Sequence, residues 1–134
     1  MSRIEVCEQF MVGSLRCWDA FMLSTDPLLP IRQLAPVFAY MNVLSALCAF
    51  EKAFCALHAS PHRLSFREAD DDRIGSDEAR ILCAVASLQA GKSREAISVL
   101  RPRLNGGVLR HLLPPLARIA TLLDHEGHRL PRWH

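Results

Sequence analysis

Apolar positions crowd residues 34–57, LAPVFAYMNVLSALCAFEKAFCAL, more densely than elsewhere in the chain. Between Leu34 and Phe50 only Pro36, Asn42 and Ser45 interrupt the apolar run, which is too long and too rich in Ala and Leu for an ordinary strand. The pattern predicts a helix at the centre of the fold. Asn42, Ser45, Ala49, Lys52 and Ala56 recur at alternating spacings of three and four, so they form one small or polar stripe. Tyr40, Val43, Leu44, Leu47, Phe50, Phe54 and Leu57 take the broader side, which has to be buried. A membrane span over residues 37–57 would hold Glu51 and Lys52 within the hydrocarbon, and no aromatic or cationic anchors bracket it, so no membrane is expected.

The flanking segments are two-sided. Over residues 4–22, Ile4, Cys7, Met11, Leu15, Trp18 and Met22 fall at helical spacing, with Glu5, Glu8, Arg16 and Asp19 on the other sides. Gly13 weakens the middle of that helix by about 1 kcal/mol relative to Ala. Pro27, Pro30 and Pro36 end the pattern or confine the helix between them to short pieces. Pro61 then stops the central helix, because the residue before a proline is pushed out of the helical region.

Residues 59–75 read as a polar loop. Its acidic run fails as a calcium site: counting from Asp70, Gly75 stands at the required sixth place, but Ile74 and Ile81 hold the fifth and twelfth, where oxygen ligands are needed. Beyond it, Ser76 is expected to cap a helix over about 77–90, with Asp77 and Glu78 at the positive end of the dipole and Gly91 as its stop. Ser93 caps a second helix with Ala96, Ile97 and Leu100 inward, as far as Pro102. Asn105-Gly106-Gly107 signals a turn. Leu109, Leu112, Leu113, Leu116, Ile119, Ala120 and Leu123 then repeat with helical period, either from about residue 114 or as one helix kinked at Pro114 and Pro115, closed by Gly127. The last residues are expected to be an extended tail, with Trp133 free to fold back. The expected fold is all-α: a single domain over residues 1–134, a bundle of about five helices around the 36–58 helix. The polar loop divides an N-terminal helical pair from a C-terminal hairpin plus helix.

A chain of 134 residues can bury a full core without staples. Its five cysteines are odd in number and form no Cys-x-x-Cys pair, which suits a reducing compartment. Residues 1–13 lack the unbroken apolar core of a secretory signal, so a cytoplasmic location is expected. The net charge of +2 conceals an asymmetry. Residues 1–91 carry 8 basic and 11 acidic side chains, whereas residues 92–134 carry 8 and 3. The basic C-terminal third could attract nucleic acid or an acidic protein surface.

Cys55, His58 and His62, at i, i+3 and i+7, are ligand types suited to zinc or copper. Pro61 breaks the continuity they need, and three ligands without a Cys-x-x-Cys half make a weak set, so no cofactor is expected. His125 and His128 fall at the end of the last helix, where the dipole favours imidazolium. The chain has no Gly-x-Ser-x-Gly, His-Glu-x-x-His, phosphate loop or dinucleotide fingerprint. Apolar neighbours around the cysteines would keep the thiols protonated, and no enzymatic role is expected.

In the 77–104 hairpin, Ala84, Leu88, Ala90-Gly91-Lys92, Ala96, Ile97 and Leu100 resemble one tetratricopeptide-type unit, whose stacked hairpins bind peptides. Ser87 stands where that family has a large aromatic. The same stretch is similar to a helix-turn-helix, with Ala86, Ala90, Gly91, Ile97 and Leu100 setting the turn and packing. That resemblance implies that Ser93, Arg94, Ser98 and Arg101 face DNA. The leading expectation is a non-catalytic interaction or regulatory protein that offers a helix groove or apolar patch to a protein partner or to a second copy of itself. A DNA-binding regulator is the alternative, and a Cys/His metal or thiol sensor comes third.

Overall fold

A computed structural model describes residues 6–21, 29–59, 64–68 and 71–130. These form six α-helices: α1 (Val6–Phe21), α2 (Leu29–Tyr40), α3 (Leu47–His58), α4 (Ser76–Gln89), α5 (Ser93–Leu100) and α6 (Gly106–His125), with a single 3-10 turn at Leu44–Ala46. No strand occurs among the described residues, and the helices pack on one another as an all-α bundle.

The central run is two helices instead of one. α2 closes where Val43 N–H bonds Phe38 C=O (2.9 Å) and Asn42 N–H bonds Ala39 C=O (3.0 Å), with Asn42 at φ +62°. This is a Schellman closure in which asparagine takes the left-handed place usually held by glycine. α3 starts afresh after the 3-10 turn. α2 also runs through Pro36, against the expectation of short pieces. Pro30 sits in the first turn, where its missing N–H costs nothing, whereas Pro36 has no N–H to contribute to the hydrogen-bond ladder of α2.

The same closure ends α4 and α6. Gly91 (φ +74°) lets Lys92 N–H reach Ser87 C=O, and Gly127 (φ +80°) lets His128 N–H reach Leu123 C=O, at 2.8 and 2.7 Å. Helix starts differ from the expectation by one residue. Gly75, not Ser76, is the N-cap of α4, and Lys92, not Ser93, precedes α5, with no side-chain cap at either. Glu78 Oε1 instead accepts the Gly75 N–H at 2.8 Å. Asn105-Gly106-Gly107 opens a helix instead of a turn, since Asn105 Oδ1 accepts Val108 N–H at 2.9 Å. α6 continues unbroken for 20 residues through both prolines.

One continuous core joins Phe10, Met11 and Trp18 of α1, Phe38 of α2, Phe50 and Phe54 of α3, Ile81 and Leu82 of α4, and Leu112, Leu116 and Ile119 of α6. Phe10 meets Phe38 edge-on at 4.7 Å, and Trp18 stacks on Phe54 at 5.8 Å. Each such ring contributes roughly 3 kcal/mol by leaving water. α3 lies chiefly against α6, and α4 against α5 and α6. The helix packed most extensively on the others is therefore α6, which lies against both α3 and α4, and not the predicted central rod, whose second half is α3.

Candidate functional site

The polar loop is held down by charge. Arg16 and Glu78, placed by sequence on outward or dipole-facing positions, are buried together, with 6% and 0% of their side chains exposed. Arg16 Nε and Nη2 donate to the two Glu78 oxygens (2.7 and 2.9 Å), and Nη1 and Nη2 to the carbonyls of Asp71 and Arg73 (2.6 and 2.7 Å). Glu78 also accepts the N–H groups of Gly75 and Arg67. Burial pushes the Glu78 carboxyl up, but the Arg16 hydrogen bond and the two backbone N–H groups outweigh it and hold the acid below its usual value. Neighbouring Asp77 is satisfied by Ser65 N–H (2.7 Å) and Arg103 Nη2 (3.1 Å). A buried, multiply bonded knot of this kind sets the loop geometry.

At the other end of the molecule, Gln89 clasps the C-terminal segment. Its Nε2 donates to His128 C=O (2.8 Å) and its Oε1 accepts Leu130 N–H (2.8 Å), pairing as a backbone amide would. Leu130 is buried, and the His128 ring lies 3.0 Å from the Met41 carbonyl. His128 thus makes a tertiary contact. Trp133 lies outside the described residues.

Of the residues read as ligands, Cys55 and His58 lie exposed on α3, and His62 lies outside the described residues. No group of three His, Cys, Asp or Glu among the described residues is placed to hold a metal ion. Three of the thiols have a raised pKa, which lowers their thiolate fraction. Burial, then the adjacent Glu8 carboxylate, pushes Cys7 up to about 11, and burial raises Cys17 and Cys55. No helix among the described residues is long and apolar enough to cross a membrane.

Ser93, Arg94, Ser98 and Arg101 are all exposed on α5, with Arg94, Ser98 and Arg101 within about 60° of one another around its axis. A second surface was foreshadowed only in part. Tyr40 is 85% exposed, Leu44 52% and Val37 45%, three large apolar side chains on the end of α2 and the turn that follows. The small stripe along residues 42–56 borders a groove between α3 and α6, where Ser45, Cys48 and Lys52 face Pro114, Pro115 and Arg118. The α6 wall was missed because the Pro-Pro pair reads as a helix start, which hides that the residues before and after it share one face.

No family model, curated protein or solved structure matches the chain.

Proposed function

We propose that the protein is a non-catalytic cytosolic interaction or regulatory domain that meets another protein, or a second copy of itself, through the apolar surface at Val37, Tyr40 and Leu44. The carrying observation is that these three side chains stay in water while the rest of a filled core excludes it. Removing them from water is worth roughly 3–5 kcal/mol before the cost of association, so the patch alone supports a weak complex and needs adjoining contacts for a tight one.

The test is the double variant Tyr40→Ser/Leu44→Ser, compared with the natural chain by sedimentation over a wide concentration range and by binding of an environment-sensitive apolar dye. The natural chain is expected to self-associate reversibly or to bind dye. The variant should melt at an unchanged temperature and do neither. A natural chain that stays monomeric and binds no dye removes the basis of the proposal.

The exposed arginines of α5, together with the surplus of basic residues beyond residue 91, favour a second reading, a DNA-binding regulator. It requires duplex affinity that falls steeply with salt and weakens in Arg94→Ala and Arg101→Ala. Absence of duplex binding at low salt dismisses it. α5 has eight residues, roughly 12 Å, and Lys92 stands exposed where a helix-turn-helix keeps an apolar residue, so the protein-interaction reading leads.

A further inference from the structure

Two depressions lie between α3 and α6. One, of about 420 Å³, is bordered by Ser45, Cys48, Lys52, Pro114, Pro115 and Arg118, and the other, of about 380 Å³, by Ala56, Ala59, Gly107, Val108 and His111. They follow one another up α3 and, in the opposite sense, down α6, along the seam between the two helices. From Ser45 to Ala59 its length is about 20 Å, the reach of a helix of about 13 residues.

Its chemistry is one-sided. Ala49, Ala56 and Val108 give a small apolar floor, while Lys52 and Arg118 stand on the two walls. Among the described residues, no acid lines either depression. Lys52 has Cys48, Ala49, Cys55 and Ala56 at helical neighbour positions, and Arg118 has Pro114, Pro115, Thr121 and Leu122, so neither meets an acid one turn away on its own helix. The backbone adds a third feature. With prolines at 114 and 115, the His111 carbonyl has neither an i+3 nor an i+4 N–H to receive, and His111 lines the second depression one turn before the prolines that line the first.

We propose that this groove takes an amphipathic α-helix of another protein. The apolar stripe of that helix seats on Ala49, Ala56 and Val108, its flanking carboxylates meet Lys52 and Arg118, and one of its side-chain donors reaches the His111 carbonyl. The proposal rests on the interaction reading above and names the class of partner. A second copy of this chain does not supply such a helix, because no described helix presents more than one solvent-facing acid. Nucleic acid fits less well, since two cations over an apolar floor offer no row of phosphate contacts.

The full chain is titrated with a labelled helical peptide of about 14 residues bearing leucines at i, i+3, i+4 and i+7 and glutamates on both flanks. Its lysine-for-glutamate counterpart and a duplex oligonucleotide serve as the other probes. Anisotropy reads affinity, and the alkylation rate of Cys48, an exposed thiol on the groove wall, reads position. The acidic peptide is expected to bind, more weakly as salt rises, and to slow Cys48 alkylation several-fold. Lys52→Glu/Arg118→Glu, with an unchanged melting temperature, should weaken it at least about tenfold. Equal binding of both peptides, indifference to the charge reversal, unchanged Cys48 reactivity, or protection of Cys48 by the oligonucleotide instead of the peptide would each overturn the proposal. If the groove fails while Tyr40→Ser/Leu44→Ser still abolishes association, the interaction reading survives without this partner.

Discussion

Replacing Arg16 by methionine tests whether the polar loop is held by charge or merely lies on the core. Methionine keeps much of the apolar stem but removes four hydrogen bonds, two to Glu78 and one each to the carbonyls of Asp71 and Arg73. Glu78 would be left as a buried carboxylate with only the N–H groups of Gly75 and Arg67. Removing one partner of a buried pair costs about 3–5 kcal/mol, because the surviving charge is uncompensated. For a chain of this size that lowers the melting temperature by roughly 10–20 °C. Urea unfolding followed by the fluorescence of buried Trp18 measures the free energy directly. The pH dependence carries the sharper sign. In the natural chain the folded Glu78 pKa is depressed, so its contribution is complete above the unfolded value of about 4.3 and is lost as pH falls through the folded value. Without Arg16 that pKa rises, so the variant loses less stability than the natural chain on acidification. The gap between the two proteins is therefore widest near neutrality and narrows toward pH 4. A cost below about 1 kcal/mol, or a gap that does not change with pH, would refute the argument. Arg16→Met/Glu78→Gln, which removes the charge as well, should recover more than half of the loss.

Three smaller perturbations have defined outcomes. Gly91→Ala meets open space, so its cost is the left-handed backbone alone, about 1 kcal/mol in urea unfolding, and Gly91→Asn should recover part of it. Asn105→Ala removes the cap on Val108 N–H and should cost about 1 kcal/mol, whereas Asn105→Asp should be near neutral. Gln89→Ala removes the side-chain bonds to the His128 carbonyl and the Leu130 N–H, and hydrogen exchange at Leu130 should accelerate at least about tenfold with little change in global unfolding; unchanged exchange would mean that the Leu130 contact with the core suffices without the clasp.

The fold class was legible because helical periodicity survives averaging over many residues. Leu109, Leu112, Leu116, Ile119 and Leu123 are buried as their spacing requires, and Gly91 and Gly127 stop their helices as glycine should. What was not legible depends on single conformations or on long-range partners. Asn42 reads as an interruption in an apolar helix, and only its φ reveals a helix end. Asn105-Gly106-Gly107 is equally good as a turn or as a capped start, and tertiary contact decides. Arg16 and Glu78 are 62 residues apart, and nothing local marks either as buried. Pro36, Pro114 and Pro115 lower helix propensity, yet packing of the neighbouring apolar faces holds all three inside helices.

The break at Asn42 also decides which apolar residues remain in water. A straight helix would carry Tyr40, Val43, Leu44 and Leu47 on one side, to be buried together. The Schellman closure and the 3-10 turn shift the phase, so Val43 goes fully inside and Leu47 half-way, while Tyr40 and Leu44 are left outside. A core indifferent to function could have absorbed both by continuing the helix, whose other residues favour it. The chain instead spends an asparagine in a conformation that L-residues rarely adopt and keeps a large aromatic almost fully exposed beside it. The second departure from local rules, Pro114-Pro115 inside α6, stands on the α3–α6 groove, whose wall Ser45 and Cys48 carry on from the same turn. The two departures lie along the surface running from α2 onto the α3–α6 groove, which is where a contact with another molecule would need them.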